Sequence, residues 1–312
     1  MKMQDAPVIE CINLNKAYGR IRALSNLNLT VHQGESFGLL GENGAGKSSL
    51  VRLLMGFTFP SSGELRLFDD PNLGRARQRI GYLPEQPQYD RQFSAVQYLG
   101  YLGRLAGVPR AQLRQRIADL LELVGLTPAA DRHIGGYSKG MTQRVGIAAA
   151  LIHKPALLIL DEPSAGLDPG GQWDIRNILA RLRAEGVTML LCSHQLVEVE
   201  DLCDTVGILR KGELVRSGAV ADLLNLANLV EIVADAISTT TLTRLQAMEL
   251  DTLDVDGNRL VVPVAASQRV LQTLLEEGAR IVSMNPLRRS LQDVYLQVSR
   301  GVPTKVPTRP AR

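Results

Sequence analysis

The sequence predicts an α/β fold in two parts: an α/β core with an antiparallel β meander and a helical subdomain, followed by a smaller α+β domain. The first observation is an apolar run at 36–40 that leads through a glycine-rich loop into an amphipathic helical pattern at 47–55. The second is the helical spacing of apolar residues between about 91 and 151. The third is a new alternation of strand and helix patterns that begins near residue 228.

Length and composition limit the function classes. With 312 residues, the chain is long enough for two domains that each have a core. A net charge of +3, spread over scattered basic residues, gives no reason to expect nucleic acid as a partner. No apolar run reaches the roughly 18 residues of a membrane-spanning helix, and the N-terminus lacks the apolar core of a signal peptide. We therefore expect any membrane role to depend on a partner.

The cysteines indicate the compartment. Cys11, Cys192 and Cys203 show no C-x-x-C spacing and no neighbouring histidine pattern. We expect neither a structural metal site nor a disulfide framework, and a reduced cytosolic setting fits best.

The meander comes first along the chain. Residues 8–14 and 23–31 alternate apolar and polar side chains, and a turn at 18–19 separates them. In the helical subdomain, Ser94 and Gln97 form a capping box. After it the core resumes, with strands at 157–160, 187–192 and 205–209 and with a helix opened by Asp168 and Pro169. The apolar stripe of the helical subdomain consists of Leu113, Ile117, Leu120, Leu121 and Val124.

The C-terminal region has its own pattern. It reads strand, helix, strand, strand, helix, strand, with a hairpin turn at 256–258, and this order resembles a ferredoxin-like module. A further helix is expected at 290–298, and the proline-rich end is expected to be disordered. The predicted domains are 1–221, with the helical subdomain at about 91–151, then the accessory domain 222–300 and the tail 301–312.

The glycine-rich loop at 41–48 matches the pattern G-x-x-x-x-G-K-[ST] at every fixed position. Its glycines let backbone N–H groups close around phosphate oxygens, and the following helix directs its positive end at the same anion. Lys47 would reach the β- and γ-phosphates of a nucleoside triphosphate, and the Ser48 hydroxyl would bind Mg²⁺. A glycine-rich turn before a chance lysine is the alternative, which the strand-loop-helix context disfavours. The predicted nucleotide contacts here are Gly41, Asn43, Gly44, Ala45, Gly46, Lys47, Ser48 and Ser49.

Two acids end the predicted strand at 157–160. Asp161 is placed to hold Mg²⁺, and Glu162 to polarise a water in line with the γ-phosphate. Alone, the pair would fit a solvated acidic turn equally well. With the phosphate loop present, the catalytic interpretation is favoured.

A third motif begins a helix some twenty residues before that strand. Ser138 stands at an N-cap position, and Gly140 permits close approach of the backbone. Here the sequence resembles the ATP-binding subunits of ABC transporters, whose signature LSGGQ is matched at 137–141 by YSKGM. The match keeps the serine and the second glycine and departs at three positions, a variation seen in the exporter-type branch. The resemblance implies that Ser138, Lys139, Gly140 and Met141 contact nucleotide, although a capped helix start explains the motif alone about as well.

The resemblance, which covers about residues 7–220, implies further roles. Tyr18 is similar to the aromatic residue that stacks on adenine, 164–168 to the D-loop with Asp168 near the nucleotide, and His194 to the catalytic switch histidine. Each alone could be an ordinary surface or loop residue. The Q-loop glutamine is replaced by Glu85, with Gln86 following, and either could meet the metal or its water. A proline-bounded polar loop at 84–87 is the alternative.

By this resemblance the working unit is a homodimer that holds two ATP molecules with Mg²⁺ between its copies. The expected partner is an integral membrane permease in trans, with the chain peripheral on the cytoplasmic face of the inner membrane. The segment 285–295 resembles the C-terminal tail of type-2 exporter ATPases. Within that branch the motifs are most similar to the NosF-type ATPases that serve copper-site assembly of nitrous oxide reductase, and drug, polysaccharide or ion exporters share most of them.

Two other classes stay open. A soluble ABC-type ATPase acting on DNA or ribosomes would be expected to show long coiled-coil arms or a second phosphate loop, and the sequence has neither. A regulatory nucleotide-binding module without turnover is disfavoured by Glu162, because loss of that acid is the simplest way to abolish hydrolysis.

Overall fold

The computed structural model describes residues 7–235, 237–248, 250, 253–288 and 290–300. The chain divides into two units between Ala219 and Val220, and each unit has a hydrophobic core. The tail predicted at 301–312 lies outside the described residues. Within the described ranges, no helix is both long and apolar enough to cross a lipid bilayer.

The first unit contains nine of the described strands and seven of the described α-helices. The strands are β1 (Pro7–Tyr18), β2 (Ile21–His32), β3 (Ser36–Leu40), β4 (Ser62–Leu67), β5 (Ile80–Leu83), β6 (Leu157–Asp161), β7 (Met189–Ser193), β8 (Thr205–Arg210) and β9 (Glu213–Ala219). The helices are α1 (Lys47–Met55), α2 (Leu73–Arg77), α3 (Ala95–Leu105), α4 (Arg110–Leu123), α5 (Lys139–Leu151), α6 (Pro169–Ala184) and α7 (Leu196–Leu202). Two 3₁₀ turns cover Thr127–Ala129 and Ile134–Gly136.

A six-stranded sheet in the order β5-β6-β7-β3-β8-β9 positions the site. The first five strands are parallel, and β9 is antiparallel at the edge. Every residue of β3, β6 and β7 is buried, as expected for parallel strands that are covered on both faces. The carboxyl ends of these three neighbouring strands meet at one edge of the sheet, where ligands of open parallel sheets bind.

The meander is a separate three-stranded antiparallel sheet in the order β2-β1-β4. The two predicted strands are confirmed, although both are longer than predicted and β1 continues to Tyr18. Asn13 and Asn26 adopt left-handed backbone conformations beside irregularities in the β1–β2 register. The third strand, β4, was not predicted, because most of its side chains are exposed and only Leu65 and Leu67 are buried.

The helical subdomain follows the predicted pattern. The capping box is present at the start of α3, where the Gln97 amide donates to Ser94 Oγ (3.3 Å) and the Ser94 amide donates to Gln97 Oε1 (2.9 Å). The predicted stripe on and after α4 is buried throughout. Helix α5 packs tightly on β5, because a Cβ on Gly81 would overlap the Ala150 carbonyl oxygen. The helical region is therefore fixed to the sheet through α5.

The strands of the second unit are β10 (Asn225–Asp235), β11 (Asp254–Asp256), β12 (Arg259–Pro263) and β13 (Arg280–Arg288). They form a four-stranded antiparallel sheet in the order β11-β12-β10-β13. Gly257, with φ 58°, makes the β11–β12 turn where the hairpin was predicted. The hydrophobic core of the second unit includes Ile232, Leu260, Val270 and Leu274. The described helices of the second unit are α8 (Val220–Leu224), α9 (Thr239–Gln246), α10 (Val264–Glu276) and α11 (Leu291–Arg300).

Candidate functional site

The phosphate loop connects β3 to α1. Gly44 and Gly46 have φ values of 83° and 116°, in the region that side chains disfavour. A Cβ on Gly46 would also lie 2.6 Å from the Ala23 carbonyl oxygen. Among the described residues, no side chain caps the start of α1. Its first backbone N–H groups are therefore available to an anion such as a phosphate.

Lys47, the first residue of α1, is only 6% exposed. Its ammonium group donates to the Gly41 carbonyl oxygen at 2.5 Å and lies 3.3 Å from Glu162 Oε1. A buried ammonium group has three donors and needs acceptors around it. Lys47 thereby joins the glycine loop after β3 to the acid after β6.

Glu162 follows β6 directly and has a left-handed backbone, with φ 51°. Its amide donates to the Cys192 carbonyl oxygen at 2.8 Å, which ties it to the neighbouring strand β7. Oε2 lies 2.7 Å from His194 Nδ1 and accepts from the His194 amide at 3.3 Å. Oε1 is buried and, among the described residues, accepts no hydrogen bond. One carboxylate oxygen is thus held by His194, and the other faces the Lys47 ammonium group.

Asp161 ends β6 beside Glu162. Burial, followed by the carboxylates of Glu162 and Glu85, raises the pKa of Asp161 to about 6, although Lys47 and Arg52 oppose the shift. A divalent cation would stabilise the ionised form of such a carboxyl group. Carboxylate and hydroxyl oxygens are ligands of the kind that Mg²⁺ prefers. The residues at this edge therefore fit a magnesium ion.

These groups surround one cavity of about 270 Å³ at the carboxyl edge of the sheet. Of the two Q-loop alternatives, Glu85 lines it and Gln86 is not part of its lining. Arg22, which no sequence motif identified, also lines the cavity, as does Glu42, a variable position of the phosphate loop for which no contact was predicted. Of the predicted residues, those that line the cavity are Asn43, Gly44, Gly46, Lys47, Ser48, Ser49, Glu85, Asp161, Glu162 and His194.

The signature and D-loop residues lie outside this cavity lining and form a second cluster at the starts of α5 and α6. Ser138 caps α5 as predicted, since its Oγ accepts from the Met141 amide at 3.2 Å. Asp168 caps α6 by accepting from the Gly171 amide at 3.2 Å. The exposed Lys139 places its ammonium group beside Gly166 of the D-loop, so closely that a Cβ there would collide with it.

Two aromatic residues are exposed near these clusters. Tyr18, at the end of β1, is 40% exposed and lies outside the cavity lining, with Lys16 Nζ 4.8 Å from its ring centroid. Ile21, across the same turn, lines the cavity. Trp173, five residues after Asp168 on α6, is 64% exposed.

Comparisons with known proteins identify the family. The family model described as ABC transporter matches residues 24–165. The chain is 37% identical over 311 residues to the "Uncharacterized ABC transporter ATP-binding protein sll0415" of Synechocystis sp., covering 96% of this chain and 87% of the relative. The chain belongs to the ABC transporter ATP-binding proteins. This ABC ATPase therefore binds ATP with Mg²⁺ and hydrolyses ATP.

Two further relatives have names that refer to export or resistance. The ABC ATPase is 33% identical over 303 residues to the Nod factor export ATP-binding protein I of Ralstonia nicotianae, with 94% of each chain covered. It is 30% identical over 305 residues to the linearmycin resistance ATP-binding protein LnrL of Bacillus subtilis, covering 94% of this chain and 98% of the relative.

Solved structures match about two thirds of the ABC ATPase. CbiO1 of Clostridium perfringens, part of the ABC transporter complex cbiONQ, superposes with a TM-score of 0.65 at 29% identity, over 70% of this chain and 91% of that one. The dimeric structure of the bacterial cassette MJ0796 gives a TM-score of 0.61 at 25% identity, over 68% and 98%. ABC ATP-binding subunits as a family dimerise and work with a membrane permease.

Proposed function

We propose that this chain is the ATP-hydrolysing subunit of a type-2 ABC exporter and that Glu162 is its catalytic base. The observation that carries the assignment is the contact of Glu162 with both Lys47 and His194 at the edge of the phosphate-loop cavity. Holding a carboxylate between two such groups fixes its orientation. That is the arrangement a group needs to polarise a water molecule toward phosphate.

The roles of the other residues follow from their positions. Lys47 supplies a point charge at the phosphate loop, where the β- and γ-phosphates of ATP would lie. His194 holds Glu162 Oε2, and Oε1 faces the Lys47 ammonium group, so the carboxylate is oriented from both sides. Ser48 and Asp161 would hold Mg²⁺, with Glu85 at the same cavity. When bound, Mg²⁺ neutralises charge that develops on the phosphate oxygens.

A homodimer with ATP between its copies is the second part of the proposal. Ser138, Lys139, Gly140, Met141 and Asp168 do not line the cavity of their own chain. We propose that they complete the cavity of a second copy, with the positive end of α5 directed at the γ-phosphate. The MJ0796 cassette, which is similar in fold, has a dimeric structure.

Glu162→Gln tests both parts. The amide keeps the shape of the side chain but is a poor base, so turnover should fall by about 100-fold or more. MgATP binding should persist, and the variant should elute as an ATP-dependent dimer in size-exclusion chromatography. Glu185→Gln, at an exposed glutamate after α6, is the control. Native turnover and a monomer in ATP would contradict the proposal.

The membrane partner and the cargo belong to the same proposal. We propose a peripheral position on the cytoplasmic face of the membrane, bound to a separate permease. The second unit is proposed to be a ferredoxin-like accessory domain, which the sheet order β11-β12-β10-β13 supports. The relatives named for Nod factor export and linearmycin resistance favour export of an organic molecule. Purification from native membranes with identification of the integral subunit tests this part.

A NosF-type role in copper-site assembly of nitrous oxide reductase is the second candidate. The combination of the type-2 exporter tail at 285–295 with the motifs at 81–85, 137–141 and 191–194 supports it. The same purification separates the two candidates. A permease found together with nitrous oxide reductase maturation proteins would favour the copper role, and a permease that confers resistance to an organic compound would favour the first candidate.

A further inference from the structure

Glu198, on α7, is a buried acid that no motif of the sequence singled out. It is only 2% exposed. Its Oε1 accepts from Ser164 Oγ at 2.5 Å, and its Oε2 accepts from Ser193 Oγ at 2.9 Å. Both serines are themselves buried. The carboxylate thus uses each oxygen to hold a different serine.

The two serines belong to the two segments that carry the catalytic groups. Ser164 lies two residues after Glu162, at the start of the loop that leads to Asp168. Ser193 ends β7 and immediately precedes His194. Ser193 Oγ also accepts from the Gln195 amide at 3.0 Å, which fixes the start of α7. Glu198 is therefore hydrogen-bonded both to the segment that carries Glu162 and to the segment that carries His194.

Burying a carboxylate at this position costs desolvation free energy. Burial raises the pKa of Glu198, and the hydrogen bonds from Ser164 and Ser193 act in the opposite direction. An apolar side chain would fill the space without the cost of desolvating a charge. An apolar side chain could not, however, accept two hydrogen bonds from opposite sides. Charge-assisted hydrogen bonds are short and directional, and these two fix both serines relative to one helix.

We propose that Glu198 is a positioning residue that joins the Glu162–Asp168 segment to the Ser193–His194 segment, so that Glu162 and His194 stay in contact during turnover. The proposal rests on the proposed function of Glu162. It goes beyond that function by assigning a role to a residue that touches neither the cavity nor the reacting atoms.

Paired variants test the proposal by steady-state kinetics on the full chain. Glu198→Ala leaves both serine hydroxyls without their acceptor, so we expect kcat to fall by about 10-fold. The Kd for MgATP should stay close to native, because the phosphate loop is unchanged. Glu198→Gln can accept from one serine and donate to the other, and it should retain most of the turnover. Ser164→Ala should lower kcat in the same direction, and a double-mutant cycle between Ser164 and Glu198 should show coupling.

Ser36→Ala is the matched control. Ser36 is also buried, and its hydroxyl donates to the Leu202 carbonyl oxygen at the other end of α7 (2.7 Å). Its loss should lower the unfolding midpoint without lowering kcat. The proposal is overturned if Glu198→Ala turns over at the native rate, if Ser36→Ala loses as much kcat, or if Glu198→Gln is as slow as Glu198→Ala. If Glu198→Ala does not fold, the kcat of Ser164→Ala tests the proposal instead: a lowered kcat supports it, and a native kcat overturns it.

Glu162→Gln, assayed in parallel, separates this proposal from the proposed function. Loss of turnover in Glu162→Gln with native turnover in Glu198→Ala overturns only the positioning role. Native turnover in Glu162→Gln overturns the proposed function itself. Loss in both variants, with near-native turnover in Glu198→Gln, is the expected result.

Discussion

Glu162 shows how one residue can be constrained from several directions. A non-glycine residue in the left-handed region costs on the order of 1 kcal/mol, and the surrounding contacts must offset that cost. Its amide is held by β7, one oxygen by His194, and the other lies near Lys47. The strained backbone turns the side chain at the end of β6. We infer that this strained backbone conformation helps to position the Glu162 side chain in the site.

His153 gives a pH prediction at the residue scale. It is half-buried, its Nε2 lies 3.2 Å from the Ile80 carbonyl oxygen, and burial lowers its pKa from the ordinary 6.5. As the pH falls, His153 is therefore protonated at a higher pH in the unfolded chain than in the folded chain. The contribution of His153 to stability is therefore present above pH 6.5 and is lost as the pH falls through the lowered folded-state pKa.

We expect the difference in the free energy of unfolding between the native chain and His153→Gln, measured with urea, to shift against the native chain as the pH falls from about 7 to 5.5. Asp161, whose raised pKa of about 6 acts in the opposite direction, is present in both chains and cancels in this difference. His32→Gln, at an exposed histidine at the end of β2, is the matched control. Equal pH slopes for the native chain and His153→Gln would show that His153 contributes nothing to this dependence.

At the scale of elements, the contact between β5 and α5 is the tightest point of the helical region. A Cβ on Gly81 would overlap the Ala150 carbonyl oxygen and approach Pro155 Cγ within 2.9 Å. Gly81→Ala should therefore lower the free energy of unfolding by about 1–3 kcal/mol, because backbone atoms cannot move aside as a flexible side chain could.

Gly136→Ala is the control, since a Cβ there has no atom within 4 Å. It should be neutral or slightly stabilising, because it reduces the freedom of the unfolded chain. Urea unfolding of both variants gives the comparison. Equal midpoints would mean that α5 can shift away from β5 at little cost.

Local patterns predicted the elements in which a short sequence determines its own structure. The phosphate loop, the capping box at Ser94 and the buried strands β3 and β6 all carry such patterns, and the structure has each of them. Strand β4 was missed, because its short and mostly exposed sequence forms a strand only by pairing with β1. The role proposed for Glu198 depends on two serines brought together by the sheet order, and no local spacing predicts that.

The same limit applies inside the site. The sequence left Glu85 and Gln86 as equal alternatives, because adjacent loop residues have no periodicity that fixes the direction of a side chain. The fold places Glu85 at the cavity. Arg22 reaches the cavity from a meander strand that is distant in sequence from β6, so its presence follows from the tertiary fold alone.

At the scale of the whole molecule, the division at Ala219 predicts that the first unit is sufficient for ATP binding. Every residue that lines the cavity precedes Ala219, and the second unit has a core of its own. A chain ending near Val220 should fold and bind MgATP with near-native affinity, as measured by circular dichroism and calorimetry.

Dimer formation and permease-coupled turnover are to be measured on the same shortened chain. A loss of either quantity with native affinity would assign the second unit to assembly. A shortened chain that folds but does not bind ATP would contradict the prediction, because it would show that residues after Val220 contribute to the nucleotide site.

Because Trp173 is exposed, its intrinsic fluorescence can report on binding at the start of α6. It is the single tryptophan among 312 residues, so indole emission excited near 295 nm comes from the second turn of α6 alone. At 64% exposure the indole is open to iodide quenching. Any partner that covers this end of α6 must shift the emission to shorter wavelength and weaken the quenching. An ATP titration of unlabelled Glu162→Gln can therefore be followed in real time, without a dye, a tag or an added cysteine.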